Sequence, residues 1–85
     1  MNKEQAKCRV DDRVPIIGSR YVKIAEYKRE QFEIVLKAGG REMTEQERAA
    51  VRTYSELIEG ERKEIQECVA EIHSYIDQIR WWNLF

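Results

Sequence analysis

The sequence predicts an all-α fold: an antiparallel helical hairpin with one long heptad-patterned helix, assembled into an oligomeric bundle. Three observations carry this. Over residues 51–82, alternate steps of three and four land on Val51, Tyr54, Ile58, Glu61, Ile65, Cys68, Ile72, Tyr75, Ile79 and Trp82. Nine of these ten are apolar or aromatic. A spacing of 3.5 residues keeps one stripe facing a partner helix, whereas a strand alternates by two. Residues 20–38 place Tyr21, Ile24, Ala25, Tyr27, Phe32, Ile34, Val35, Leu36 and Ala38 on one side of a helix, with Lys23, Glu26, Arg29, Glu30, Glu33 and Lys37 on the other. Between the two patterns stand Gly39-Gly40 and Thr44-Glu45-Gln46-Glu47, a left-handed helix stop followed by a capping box. A short loop between two amphipathic helices makes an αα-hairpin.

Taken in order, residues 1–19 read as a polar N-terminal segment and an apolar linker, and residues 20–85 as the hairpin domain. Asn2 suits the cap of a short helix over residues 3–9. Pro15 disfavours helix at Val14, and Gly18-Ser19 reads as a turn and a cap, so residues 14–19 are expected to be extended. The first helix covers residues 20–38. Its apolar arc takes about half the circumference, more than the ~100° needed for one neighbour. Lys37 in the last turn suits the negative helix end. The second helix covers residues 45–80 and passes through Gly60 at an outward position. Glu61, on the seam, has Arg20 and Lys28 as candidate partners.

Helices of 19 and 36 residues differ in length by about 25 Å at 1.5 Å per residue. Folding the first onto the second leaves the stretch beyond residue 63 uncovered. That stretch carries Ile65, Cys68, Val69, Ile72, Tyr75, Ile76 and Ile79, which we assign to self-association. The favoured assembly is a homodimer of antiparallel hairpins, and Ile72→Asp is expected to break it. The chain closes on Trp81-Trp82-Asn83-Leu84-Phe85; adjacent tryptophans cannot share one seam, so Trp81, Trp82 and Phe85 are assigned to a protein partner.

The 85 residues carry a formal net charge of −1, unevenly spread. Residues 1–29 hold eight basic and four acidic side chains, and residues 30–85 hold seven and twelve. The two parts attract each other within or between chains. A second use of the basic part is anion binding, nucleic acid or a nucleotide, by Arg20, Lys23, Lys28 and Arg29, interleaved with Tyr21 and Tyr27. Strong nucleic-acid binders are basic overall, and this chain is slightly acidic. No apolar run approaches the ~20 residues of a membrane span, and the first residues are polar, so the expected location is the cytoplasm, with Cys8 and Cys68 as free thiols.

No catalytic, metal or cofactor site is expected. His73 is the one histidine, and Ala70 stands where an inward Glu-x-x-His pair would need its glutamate. No Gly-rich phosphate loop and no nucleophile-base spacing is present. The reading is a small non-enzymatic helical protein that self-associates and binds another macromolecule as an adaptor or inhibitor. In size and composition, though not by any sequence motif, it is like the small accessory proteins of phages and mobile elements.

Overall fold

The computed structural model describes residues 2–83, with side chains placed for residues 2–81. The described residues form two helices, α1 over Lys3–Ala38 and α2 over Glu45–Asn83. They pack antiparallel into a rod 65 Å long and 15 Å across. No helix among the described residues is long and apolar enough to cross a membrane.

The second half of the hairpin forms as its residues predict. α1 ends where Gly39 takes φ +61°, a backbone that side-chain-bearing residues resist. Its N–H reaches back to the carbonyls of Leu36 and Val35 at 3.0 and 3.3 Å. α2 starts in a reciprocal capping box. The Glu47 N–H donates to Thr44 Oγ1 at 3.1 Å, and the Thr44 N–H donates to Glu47 Oε1 at 2.8 Å. Arg41 then closes the loop on the same carboxylate through two hydrogen bonds of 2.7 and 2.9 Å.

The first half corrects the expectation for residues 1–19. Asn2 does cap a helix, with its side chain accepting from the Gln5 N–H at 2.9 Å and the Gln5 side chain accepting from the Asn2 N–H at 3.1 Å. That helix does not stop near residue 9. It continues through Val14, Pro15 and Gly18 without a break, so there is no extended linker and no separate N-terminal segment. The reason is visible in the burial pattern. The less exposed residues of α1 are Lys3, Ala6, Val10, Arg13, Ile17, Arg20, Ile24, Tyr27, Gln31, Ile34 and Ala38, an unbroken three-four spacing that runs straight through the supposed linker. Pro15 is exposed and lies on the side of α1 away from that pattern, so the hydrogen bond it forgoes is not one of the seam's. Packing a further five turns of seam against α2 offsets the ~3 kcal/mol that an interior proline costs.

With 36 and 39 residues the helices match in length, and this removes the uncovered half of α2. The seam is layered along the rod. Gln31 Nε2 donates to the Val51 carbonyl at 2.8 Å and to Ser55 Oγ at 2.7 Å. Tyr27 and Tyr54 follow, ring centroids 6.0 Å apart. Ile24, Ile58 and Ile65 form the central core, with Ile17, Tyr27 and Val69 packed on it. Arg20 answers Glu61 at 3.2 Å and Glu64 at 2.6 Å. Farther on, the Cys68 thiol donates to the Arg13 carbonyl at 3.5 Å, while the Arg13 guanidinium pairs with Glu71 and lies 5.1 Å over the Tyr75 ring.

The loop ion pair sets a pH dependence. The Arg41 guanidinium first, and the Thr44 N–H after it, hold the Glu47 carboxyl down from 4.5 to about 2. A carboxyl depressed on folding adds stability that is complete above its ordinary value and disappears as pH falls through the folded one. Wild type is therefore expected to be more stable than Glu47→Gln by a constant margin above about pH 5, shrinking towards pH 2. Thermal melts of both proteins across that range check this; a margin independent of pH refutes it.

Candidate interaction surface

The three-four pattern that builds the α1 seam recurs one residue further on, along the outward flank of the same helix. Val14, Gly18, Tyr21, Ala25, Lys28, Phe32 and Val35 follow one another at alternate steps of four and three. None of them is buried in the hairpin. Val14 is 54 % exposed, Tyr21 58 % and Phe32 62 %. Val22 and Leu36 border the stripe and are exposed to a similar degree. Among the described residues, seven of the nine large apolar side chains left exposed lie on α1, and only Leu57 and Trp81 lie on α2. The outward positions of α2 are instead Arg52, Glu56, Glu59, Lys63, Glu67 and Asp77, an ordinary solvated face.

Between the stripe and α2 runs a shallow groove lined by Lys28, Gln31, Phe32, Val35 and Val51. Its floor is held by the Gln31 hydrogen bonds to Val51 and Ser55. A small ligand needs an enclosed cavity with a few converging polar groups. This groove has one cation at its rim and an apolar wall, and it continues lengthwise into the stripe.

The residues assigned to self-association lie elsewhere. Ile65 and Cys68 are buried against α1, and Ile72, Tyr75 and Ile79 are half-buried on the same intramolecular seam. Val69 and Ile76 flank that seam. The chain itself covers them, because residues 3–19 are helical. Trp81 stands exposed in the last turns of α2. Trp82 belongs to α2 with its side chain outside the described set, and Phe85 lies outside the described residues.

The four cations proposed for an anion do not converge. Arg20 is a seam residue held by Glu61 and Glu64. Lys23 and Lys28 sit on opposite flanks of the α1 seam, and Arg29 projects from its outer side. His73 is exposed, and among the described residues no three of His, Cys, Asp and Glu are grouped as metal ligands.

Part of the outer stripe is visible in the sequence, since Tyr21, Ala25, Phe32, Val35 and Leu36 belong to the broad arc on residues 20–38. Val14 and Gly18 are missed there because Pro15 marks their stretch as a linker. The signal that recovers them is the step of four, three and four from Val14 to Ala25. The chain matches no protein-family profile, and neither the curated proteins nor the solved structures contain a significant match to it.

Since Ile72 faces α1, Ile72→Asp is now expected to unfold the hairpin and not merely to dissociate copies of it. Placing a carboxylate without a partner in the seam costs about 2–3 kcal/mol, or roughly 10–20 °C in a domain of this size. Circular dichroism at 222 nm during a thermal melt reads this directly. A variant that melts like wild type would mean Ile72 is not a seam residue.

Proposed function

We propose that this chain is a non-enzymatic interaction module: a helical hairpin that self-associates and binds another macromolecule through the outer face of α1, as an adaptor or inhibitor does. One observation carries the reading. The hairpin satisfies its own seam and still presents six large apolar side chains along one face of one helix, Val14, Tyr21, Val22, Phe32, Val35 and Leu36. A contiguous patch of this kind marks an interaction surface, since monomers that work alone keep such patches small.

Its chemistry favours protein over nucleic acid. Tyr21 and Phe32 are rigid aromatic anchors with two side-chain torsions each, the type that carries binding energy at protein interfaces. Phosphate recognition needs several cations on one side, and this face carries two, Lys28 and Arg29, among six large apolar side chains, while Arg20 is occupied by carboxylates.

Site-specific photo-crosslinking in the producing cell tests the reading. A photoreactive phenylalanine analogue at position 32 is expected to give discrete protein adducts, and the same analogue at Glu56, on the charged face of α2, is expected to give none. Adducts at both positions alike, or at neither, would remove the α1 face as the contact surface.

A further inference from the structure

We infer that the outer stripe of α1 takes a second copy of this chain, α1 against α1 in a two-fold antiparallel dimer centred on Ala25, so that two hairpins close into a four-helix bundle. This rests on the reading above that the stripe is a contact surface, and it names the occupant.

The stripe complements itself when reversed. Seven residues to either side of Ala25 stand Gly18 and Phe32, eleven residues to either side stand Val14 and Leu36, and four residues to either side stand Tyr21 and Arg29. In an isologous interface each patch meets its own reverse. Antiparallel pairing about Ala25 therefore sets the smallest residue, Gly18, opposite the partner's Phe32. It sets apolar Val14 opposite the partner's Leu36, and Ala25 opposite itself, where the two backbones approach most closely. Parallel pairing would set Phe32 against Phe32 and Lys28 against Lys28, stacking bulk on bulk and charge on like charge.

Charge is compatible with the same register. Four residues to either side of Ala25 stand Tyr21 and Arg29, so the reversed pairing sets the Arg29 guanidinium of each copy opposite the Tyr21 ring of the other, and sets Lys28 opposite Val22 rather than opposite a second lysine.

Gly18 fits the same pairing. Within the hairpin nothing lies within 4 Å of a Cβ placed there, so intrachain packing does not require glycine. Glycine inside a helix is unfavourable relative to alanine. The room it leaves is explained once a phenylalanine ring from a second copy occupies it.

Area points the same way. The chain exposes 6542 Å², against roughly 5300 Å² for a compact monomer of its 10.2 kDa mass. Six stripe side chains exposed by 46–62 % offer on the order of 100 Å² each, so the two copies together would bury about 1,200 Å². That reaches the low end of the specific range and removes about half of the excess surface of each rod.

The test is the solution mass by size-exclusion chromatography with light scattering over a concentration series, with two sets of variants. Wild type is expected to approach twice the chain mass. Gly18→Leu, whose Cβ meets nothing within 4 Å inside the hairpin and which favours helix, is expected to keep its helical signal yet weaken the dimer about tenfold to a hundredfold. Adding Phe32→Ala to Gly18→Leu restores the size match and is expected to recover dimerisation. Orientation is read by oxidising a mixture of Val14→Cys and Leu36→Cys chains in a Cys8→Ser background, which removes the exposed native thiol. Disulfides between the two variants should dominate over those within each. A monomer at every concentration overturns the inference, as does a dimer indifferent to Gly18→Leu or one that crosslinks like to like. A monomer whose position 32 still photo-crosslinks to a different protein retires the dimer, and self-association with it, and leaves standing the reading that this face binds another macromolecule. Absence of adducts at position 32 removes both.

Discussion

Two helices share one seam, and each can bury only the strip of side chain that faces the other. Every feature of this molecule follows from that limit. Six residues among those described are buried, Ala6, Ile24, Ala38, Ile58, Ile65 and Cys68, and none of them is larger than isoleucine. A core this thin is stabilised by its length and continuity more than by any single layer. That is why α1 stays helical through Pro15: ending it there would expose half of α2.

A narrow seam also has to specify its register. Apolar layers alone would tolerate a slip of one heptad, since an isoleucine meets an isoleucine again seven residues on. The polar members of the seam do not tolerate it. Gln31 is matched to Val51 and Ser55, Arg20 to Glu61 and Glu64, and Arg13 to Glu71, three fixed points spread along the rod. Each would lose its partner on slipping. Half-buried ion pairs add little net stability, and their established use is this kind of discrimination. Glu61, which interrupts the apolar run of α2, is thereby a register residue.

What could be read from the residues, and what could not, divides along local and non-local lines. The loop was legible because its signals are local: Gly39 at the helix stop, and Thr44 with Glu47 at the next start. The α2 stripe was legible because its spacing is regular over thirty residues. Pro15 and Gly18 misled because their local preference is real but is outvoted by packing against a helix some fifty residues away, which no short window contains. The error then propagated. A first helix half its true length left Ile65, Cys68, Ile72, Tyr75 and Ile79 without cover and turned an intramolecular seam into a supposed interface, while the outer face of α1 passed for part of a broad core arc.

The loop has a consequence for the order in which the rod assembles. In a hairpin the separation in sequence between facing residues grows steadily from the loop outward, from Arg41 with Glu47 to Arg13 with Glu71. Closing a short loop loses less chain entropy than closing a long one, so each layer is easiest to form once its loop-side neighbour is in place. The hairpin is therefore expected to zip from Gly39 towards Asn2 and to open from the other end first. Pro15 and Gly18 lie in the half that closes late, where weak helix formers do least harm to nucleation. Amide hydrogen exchange would show this as protection that declines from residue 34 back to residue 6 on α1; uniform protection would mean the rod opens as one unit.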